Sequence, residues 1–137
     1  MTNQTLAHAY LRKATDRLDI LDLLHAKKAY SDVVREAQKI VELALKGMLR
    51  AVGVEPPKYH EVGGLLLEHG NRFQKEVEAH LKKAAKISKR LRKERELAFY
   101  GDIDFIPTEE YSLEDSREAR KDAQWIVALA KKAIVSK

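Results

Sequence analysis

The residue in this chain best placed to do chemistry is Arg95, in the stretch Arg95-Glu96-Leu97-Ala98-Phe99-Tyr100-Gly101-Asp102. At about 100° per residue, Phe73, Val77, Leu81, Ala84, Ile87, Leu91, Ala98 and Phe99 fall on one apolar helical stripe, and Arg95 falls in the middle of it. A guanidinium aimed along an apolar face loses hydration worth several kcal/mol unless it is paired or lines a wet cleft. Two readings follow. Arg95 is a site residue able to hold a phosphate bidentately or to stabilise developing negative charge, or it is a structural arginine paired with Glu94 or Glu96. The other basic residues nearby, Lys82, Lys83, Lys86, Lys89, Arg90, Arg92 and Lys93, project away from the stripe's centre. Read as spread around the rest of the helix, they form either a solvated face or an attraction for a polyanion, with Lys89 and Arg92 the candidates to join Arg95 in nucleotide or RNA binding.

Composition removes several other chemistries. The chain has no cysteine, which excludes disulfides, thiolate zinc sites and a cysteine nucleophile. Its five histidines lack metal-ligand spacing, so no metal and no cofactor is expected. His60-Glu61 resembles the start of a zinc-protease motif, but Gly64 stands where the second histidine belongs. His25 lies on an apolar stripe and reads as a hydrogen-bonded boundary residue. The net charge of +5 permits an acidic partner without requiring one. Met1 to Thr5 lacks a basic region followed by an apolar core, and the longest apolar run, Trp125 to Ala130, is too short to cross a bilayer. A cytoplasmic protein without membrane contact is the expectation.

Helical periodicity accounts for nearly all of the 137 residues, as one domain over 1–137. A first helix is predicted from about Thr5 to Lys28. Ser31 is the expected N-cap of a second, which carries the widest apolar face and ends at Gly53 before Pro56-Pro57. A short helix over Tyr59 to His69 is weakened by Gly63-Gly64. Asn71-Arg72-Phe73-Gln74 reads as a capping box opening one continuous helix to Phe99, roughly 42 Å long at 1.5 Å per residue. Residues 101–111 are expected as an ordered apolar loop. Ser112-Leu113-Glu114-Asp115 then caps a last helix, whose Trp125, flanked by Ala128 and Leu129, gives it a second apolar side. That side implies either self-association, with Trp125 and Leu129 at the interface, or cover by the 101–111 loop. The sum is an all-α, antiparallel up-and-down bundle of four long helices and one short one.

In this order the features resemble the HEPN domain family. The second helix, Tyr30-Ser31-Asp32-Val33-Val34-Arg35-Glu36-Ala37-Gln38-Lys39-Ile40-Val41-Glu42-Leu43-Ala44-Leu45-Lys46-Gly47, is similar to the family's signature, and Gly53, the double proline, His60 and Arg95 to Asp102 follow in the family's order. The resemblance implies a helical homodimer that binds a nucleotide or RNA and is often paired with a minimal nucleotidyltransferase, sometimes as toxin and antitoxin. Many relatives are metal-independent RNA endonucleases built on an arginine followed four to six residues later by histidine. Arg95 matches the arginine, Glu96 takes the polar position, and Tyr100 stands where the histidine is expected, with no histidine after it in the chain. Arg95, Glu96 and Tyr100 are thus the candidate catalytic set. Imidazole can both take and give a proton near neutral pH, whereas a phenol with a pKa of about 10 is a poor base. A binding protein is therefore favoured over a nuclease. The alternatives are an RNA endonuclease toxin and a non-catalytic interaction module. The resemblance also makes Tyr100 a candidate acceptor of nucleotidyl groups from the partner enzyme.

Overall fold

In the computed structural model, residues 2–56, 58, 62–94, 100–102 and 105–135 are described. The chain folds as α1 (Asn3–Ala26), α2 (Tyr30–Ala51), α3 (Val62–Glu68), a 3₁₀ turn (Gly70–Arg72), α4 (Lys75–Glu78), α5 (Leu81–Glu94), α6 (Pro107–Glu110) and α7 (Leu113–Val135). Among the described residues there is no strand, only an isolated bridge between Asp102 and Phe105. The all-α bundle expected from periodicity is what forms.

The widest apolar face does become the centre. Thirteen of the 22 residues of α2 are buried, and α2 packs against α1, α7, α5 and α3. Cross-helix contacts fix the directions. Arg17 pairs with Glu36, and Arg50 donates to the Asn3 side chain, so α1 and α2 run antiparallel. Gln4 reaches Ile134 while Arg120 reaches Asp22, which makes α1 and α7 antiparallel too. Gln74 near the start of the α4–α5 arm meets Lys132 at the end of α7, and Arg90 near its end meets Asp122 nearer the start of α7. The result is up, down, up, down.

Local chemistry explains the boundaries, and corrects two of the expected ones. Ser31 is not the N-cap of α2. Lys28 adopts a left-handed φ of 62°, which reverses the chain early, so α2 starts at Tyr30 and Ser31 turns inward, 6% exposed. The long fourth helix is also not continuous. Asn71 lies in the 3₁₀ turn, Phe73 and Gln74 are extended (ψ 159° and 150°), and no side-chain cap forms. What the break supplies is donors for two helix ends with orphan carbonyls: Arg72 donates to Val52 O just after α2, and Gln74 to Lys132 O in the last turn of α7. Phe73, Val77 and Leu81 still bury their side chains along one line.

Two glycines set close approaches. A Cβ on Gly63 would lie 2.9 Å from the Cα and Cβ of Ala85, so this residue lets α3 cross α5 with backbones nearly touching. What weakens the helix in isolation makes its packing possible. Gly101, at φ 74°, would place a Cβ 2.4 Å from Phe105 O. It opens the 101–111 segment, where Asp102 and Phe105 exchange backbone hydrogen bonds, Pro107 starts α6, and the Phe105 and Tyr111 rings meet edge-on at 5.7 Å. At its far end Ser112 and Asp115 cap α7 reciprocally, as the sequence predicts: Asp115 N–H donates to Ser112 Oγ, and Ser112 N–H to Asp115 Oδ2.

Candidate functional site at the end of α5

Helix α5 has no carboxylate from Leu81 to Lys93 and one at its last residue, Glu94. Its inner face, Leu81, Ala84, Ile87, Ser88 and Leu91, is buried against the bundle. Glu94 then emerges half-buried beside the start of α7, where the Tyr111 hydroxyl donates a hydrogen bond to it. One turn earlier Arg90 reaches Glu118 at 3.0 Å and Asp122. These contacts tie the C-terminal end of α5 to the N-terminal half of α7, over a floor of Val34, Leu91 and Ala119. Together they line an open cleft of about 130 Å³ whose rim also carries Asp115.

The cleft's charges are largely matched to one another. Burial, then hydrogen bonding to Glu94, then repulsion by the carboxylates of Glu94 and Asp115 push the Tyr111 phenol well above its ordinary pKa. Tyr111 therefore remains a hydrogen-bond donor and is not a proton acceptor. Among the described residues, no group of three or more His, Asp or Glu is arranged to hold a metal ion. No helix among them is long and apolar enough to cross a membrane.

Arg95 and Glu96 lie outside the described residues, as do Leu97 to Phe99 and His60. The described residues of α5 run to Glu94, which lines this cleft and precedes Arg95 in the sequence. One carboxylate offered as a structural partner for Arg95, that of Glu94, is engaged by Tyr111. Tyr100 is 79% exposed beside the Gly101 turn. Arg92 is half-buried, and Lys89 is exposed.

The remaining predicted positions separate. Trp125 is half-buried, with the Lys83 ammonium 4.1 Å above its ring centroid and the His80 ring edge-on at 5.6 Å. The Trp125 side of α7 is thus partly covered by the α4–α5 arm of the same chain, while Ala128 beside it is exposed. Leu129, 5% exposed, belongs to the core and presents almost no surface to a second molecule. His25 is the boundary histidine expected of it: Nδ1 lies 2.7 Å from the Oγ of fully buried Ser116, with Tyr30 packed against the ring.

The lysines of α5 are also arranged differently from the expectation. Lys82, Lys83, Lys86, Lys89, Arg90 and Lys93 are all exposed, opposite the buried face. They gather on one side because a 14-residue helix packed along a single stripe has only one outside. The Tyr111–Glu94 hydrogen bond is invisible to sequence reasoning, since it joins residues 17 apart across a loop. Helical arithmetic alone could have found the lysine alignment; nothing local in the sequence points to the tyrosine.

Comparison with known proteins agrees with this architecture. A family model of the HEPN domain matches residues 7–133, nearly the whole chain. A search of the curated proteins returns no match.

Proposed function

The chain belongs to the HEPN domain family, and on that premise we propose that it acts as a homodimer binding RNA or a nucleotide through Arg95, in partnership with a minimal nucleotidyltransferase. The observation that carries this reading is the HEPN domain match over residues 7–133, and it is supported by Tyr111 and Arg90, which hold α5 against α7 as far as Glu94, the residue before Arg95 in the sequence. A guanidinium is suited to grip a phosphate through two parallel hydrogen bonds.

Among the described residues of the cleft, the one phenol is no substitute for the histidine missing from the motif. Tyr111, the phenol in the cleft, has a raised pKa and donates to Glu94, so it cannot take a proton from a ribose hydroxyl near neutral pH. Binding is therefore favoured over cleavage. Tyr100 has a different role open to it. Tyr100 is an exposed residue, and attack of its phenol oxygen on the α-phosphate of a nucleoside triphosphate bound by the partner enzyme would form a phosphotyrosyl bond, release pyrophosphate and pass the phenol proton to a base of that enzyme.

Titration of labelled ATP and a short RNA against the purified protein tests the reading. Binding that weakens at least tenfold in Arg95→Ala, with the helical signal retained, is the expected outcome. No binding to either probe at low salt would refute it. RNA cleavage that disappears in Arg95→Ala would instead establish the nuclease alternative.

A further inference from the structure

The outer face of α5 carries a line of cations that the fold itself does not use. Lys82, Lys86, Lys89 and Lys93 follow one another at spacings of four, three and four residues, so they climb one side of the helix. At 1.5 Å per residue they span about 16 Å. All four are exposed, and among the described residues none has an ion pair. The flanking cations differ: Arg90 is engaged by Glu118 and Asp122, and Lys83 by the Trp125 ring. The segment 81–93 holds seven Lys and Arg and no Asp or Glu, more positive charge than the whole chain's net +5, so the remainder is net acidic. Like charges three and four residues apart repel along a helix, and soluble helices ordinarily intersperse carboxylates to avoid this. The repulsion is relieved by a polyanion lying along the ridge.

We propose that this ridge is a track for the sugar-phosphate backbone of an RNA strand, distinct from the Arg95 site and continuous with the end of α5 that leads to it. This extends the binding reading above and rests on it, by making a polynucleotide the ligand and assigning a mononucleotide only the Arg95 end. Several points favour RNA over an anionic membrane or protein. The apolar face of α5 is buried in the bundle, so the helix has nothing to insert into lipid. The ridge itself has no apolar or aromatic side chain of the kind that anchors protein interfaces. Flexible ammonium groups in a row, with no stacking ring between them, suit repeated phosphates and do not read bases. Recognition by the ridge is therefore independent of sequence.

The test compares a fluorescent 12-nucleotide RNA with labelled ATP over a range of salt concentrations. Wild type is expected to bind the RNA more tightly than ATP, with a steep salt dependence. Replacing Lys82, Lys86, Lys89 and Lys93 together by Gln, a good helix former, should weaken RNA binding more than tenfold at low salt. It should also flatten the log–log salt slope by about 3, since each phosphate of a single strand that is no longer neutralised lowers it by about 0.7. ATP binding, to which Lys89 alone of the four is a candidate contributor, should fall less than RNA binding, and circular dichroism and melting temperature should not fall. A matched variant, Lys13, Lys39, Lys121 and Lys131→Gln, removes the same charge from other exposed faces and should retain most of the RNA affinity. An unchanged slope in the ridge variant, or an equal loss in the matched variant, overturns the inference. If wild type binds ATP but no RNA, the ridge proposal alone falls. If it binds neither, the functional reading falls with it.

Discussion

Two regions of α5 treat charge in opposite ways. At the C-terminal cleft almost every polar group has a partner: Arg90 joins Glu118 and Asp122, and Tyr111 donates to Glu94. Along the outer ridge, one helical face away, Lys82, Lys86, Lys89 and Lys93 have no ion pair among the described residues. Matched charges in a half-buried setting hold elements together. A row of unmatched like charges costs the helix a little and contributes nothing to packing. The contrast separates a region of matched charge from an exposed cationic one within the 14 residues of α5.

The comparison can be broken most forcefully from below. Leu91, 2% exposed, forms the floor of the cleft and pins α5 to the bundle. Leu91→Ala should cost about 2–4 kcal/mol of stability in a chemical denaturation experiment. If α5 serves as one rigid unit, the variant should weaken both RNA and ATP binding; losing only one would mean that the two regions are held independently.

A smaller effect is expected at Tyr111. Tyr111→Phe keeps the ring against Phe105 and removes the donor to Glu94, for a loss of about 1 kcal/mol. Its pH dependence is diagnostic. The folded phenol's pKa lies above its unfolded value of about 10, so the folded state holds its proton more firmly. The resulting stability is fully present below pH ~10 and is lost as pH rises through the interval toward the folded pKa. Denaturation midpoints of wild type and Tyr111→Phe should therefore converge as pH climbs above about 10; a difference that grows there would contradict the assigned hydrogen bond.

The smallest effect belongs to Arg90, whose side chain is 45% exposed. Arg90→Gln should lower stability by about 0.5 kcal/mol, with the loss shrinking in high salt because the pairs are solvent-screened. Melting curves at low and high ionic strength would register it. No change at either would show that the cleft's pairing is ornamental, and that Leu91 and Tyr111 alone fix the end of α5.

Much of the fold is legible along the chain because its signals are local. Ser112 and Asp115 announce the α7 cap three residues apart, and the apolar face of α2 follows from the helical period whatever it packs against. Signals that depend on partners mislead. Ser31 has the right chemistry for a cap, yet the left-handed Lys28 moves the helix start past it. Asn71 to Gln74 spells a capping box, but the side chains of Arg72 and Gln74 close the ends of two other helices. Trp125 looks unpartnered until His80 and Lys83 arrive from a different segment. Arg95 lies outside the described residues; its place on an apolar stripe is an expectation from helical spacing, and its match to the family's arginine one from order along the chain. The cleft beside Glu94 is not legible, because Tyr111 and Glu118 reach it through tertiary packing.

The sequence by itself determined the helical class, the central place of α2 and the family, since periodicity and residue order are properties of the chain alone. Only the tertiary structure decided which charges are neutralised. Arg90 and the ridge lysines belong to one basic run, and what distinguishes them is the approach of α7, whose Glu118 and Asp122 come within reach of the arginine. Pairing depends on distances between segments that local sequence does not encode, so a run of seven cations becomes one anchored end and one open ridge only when the bundle closes.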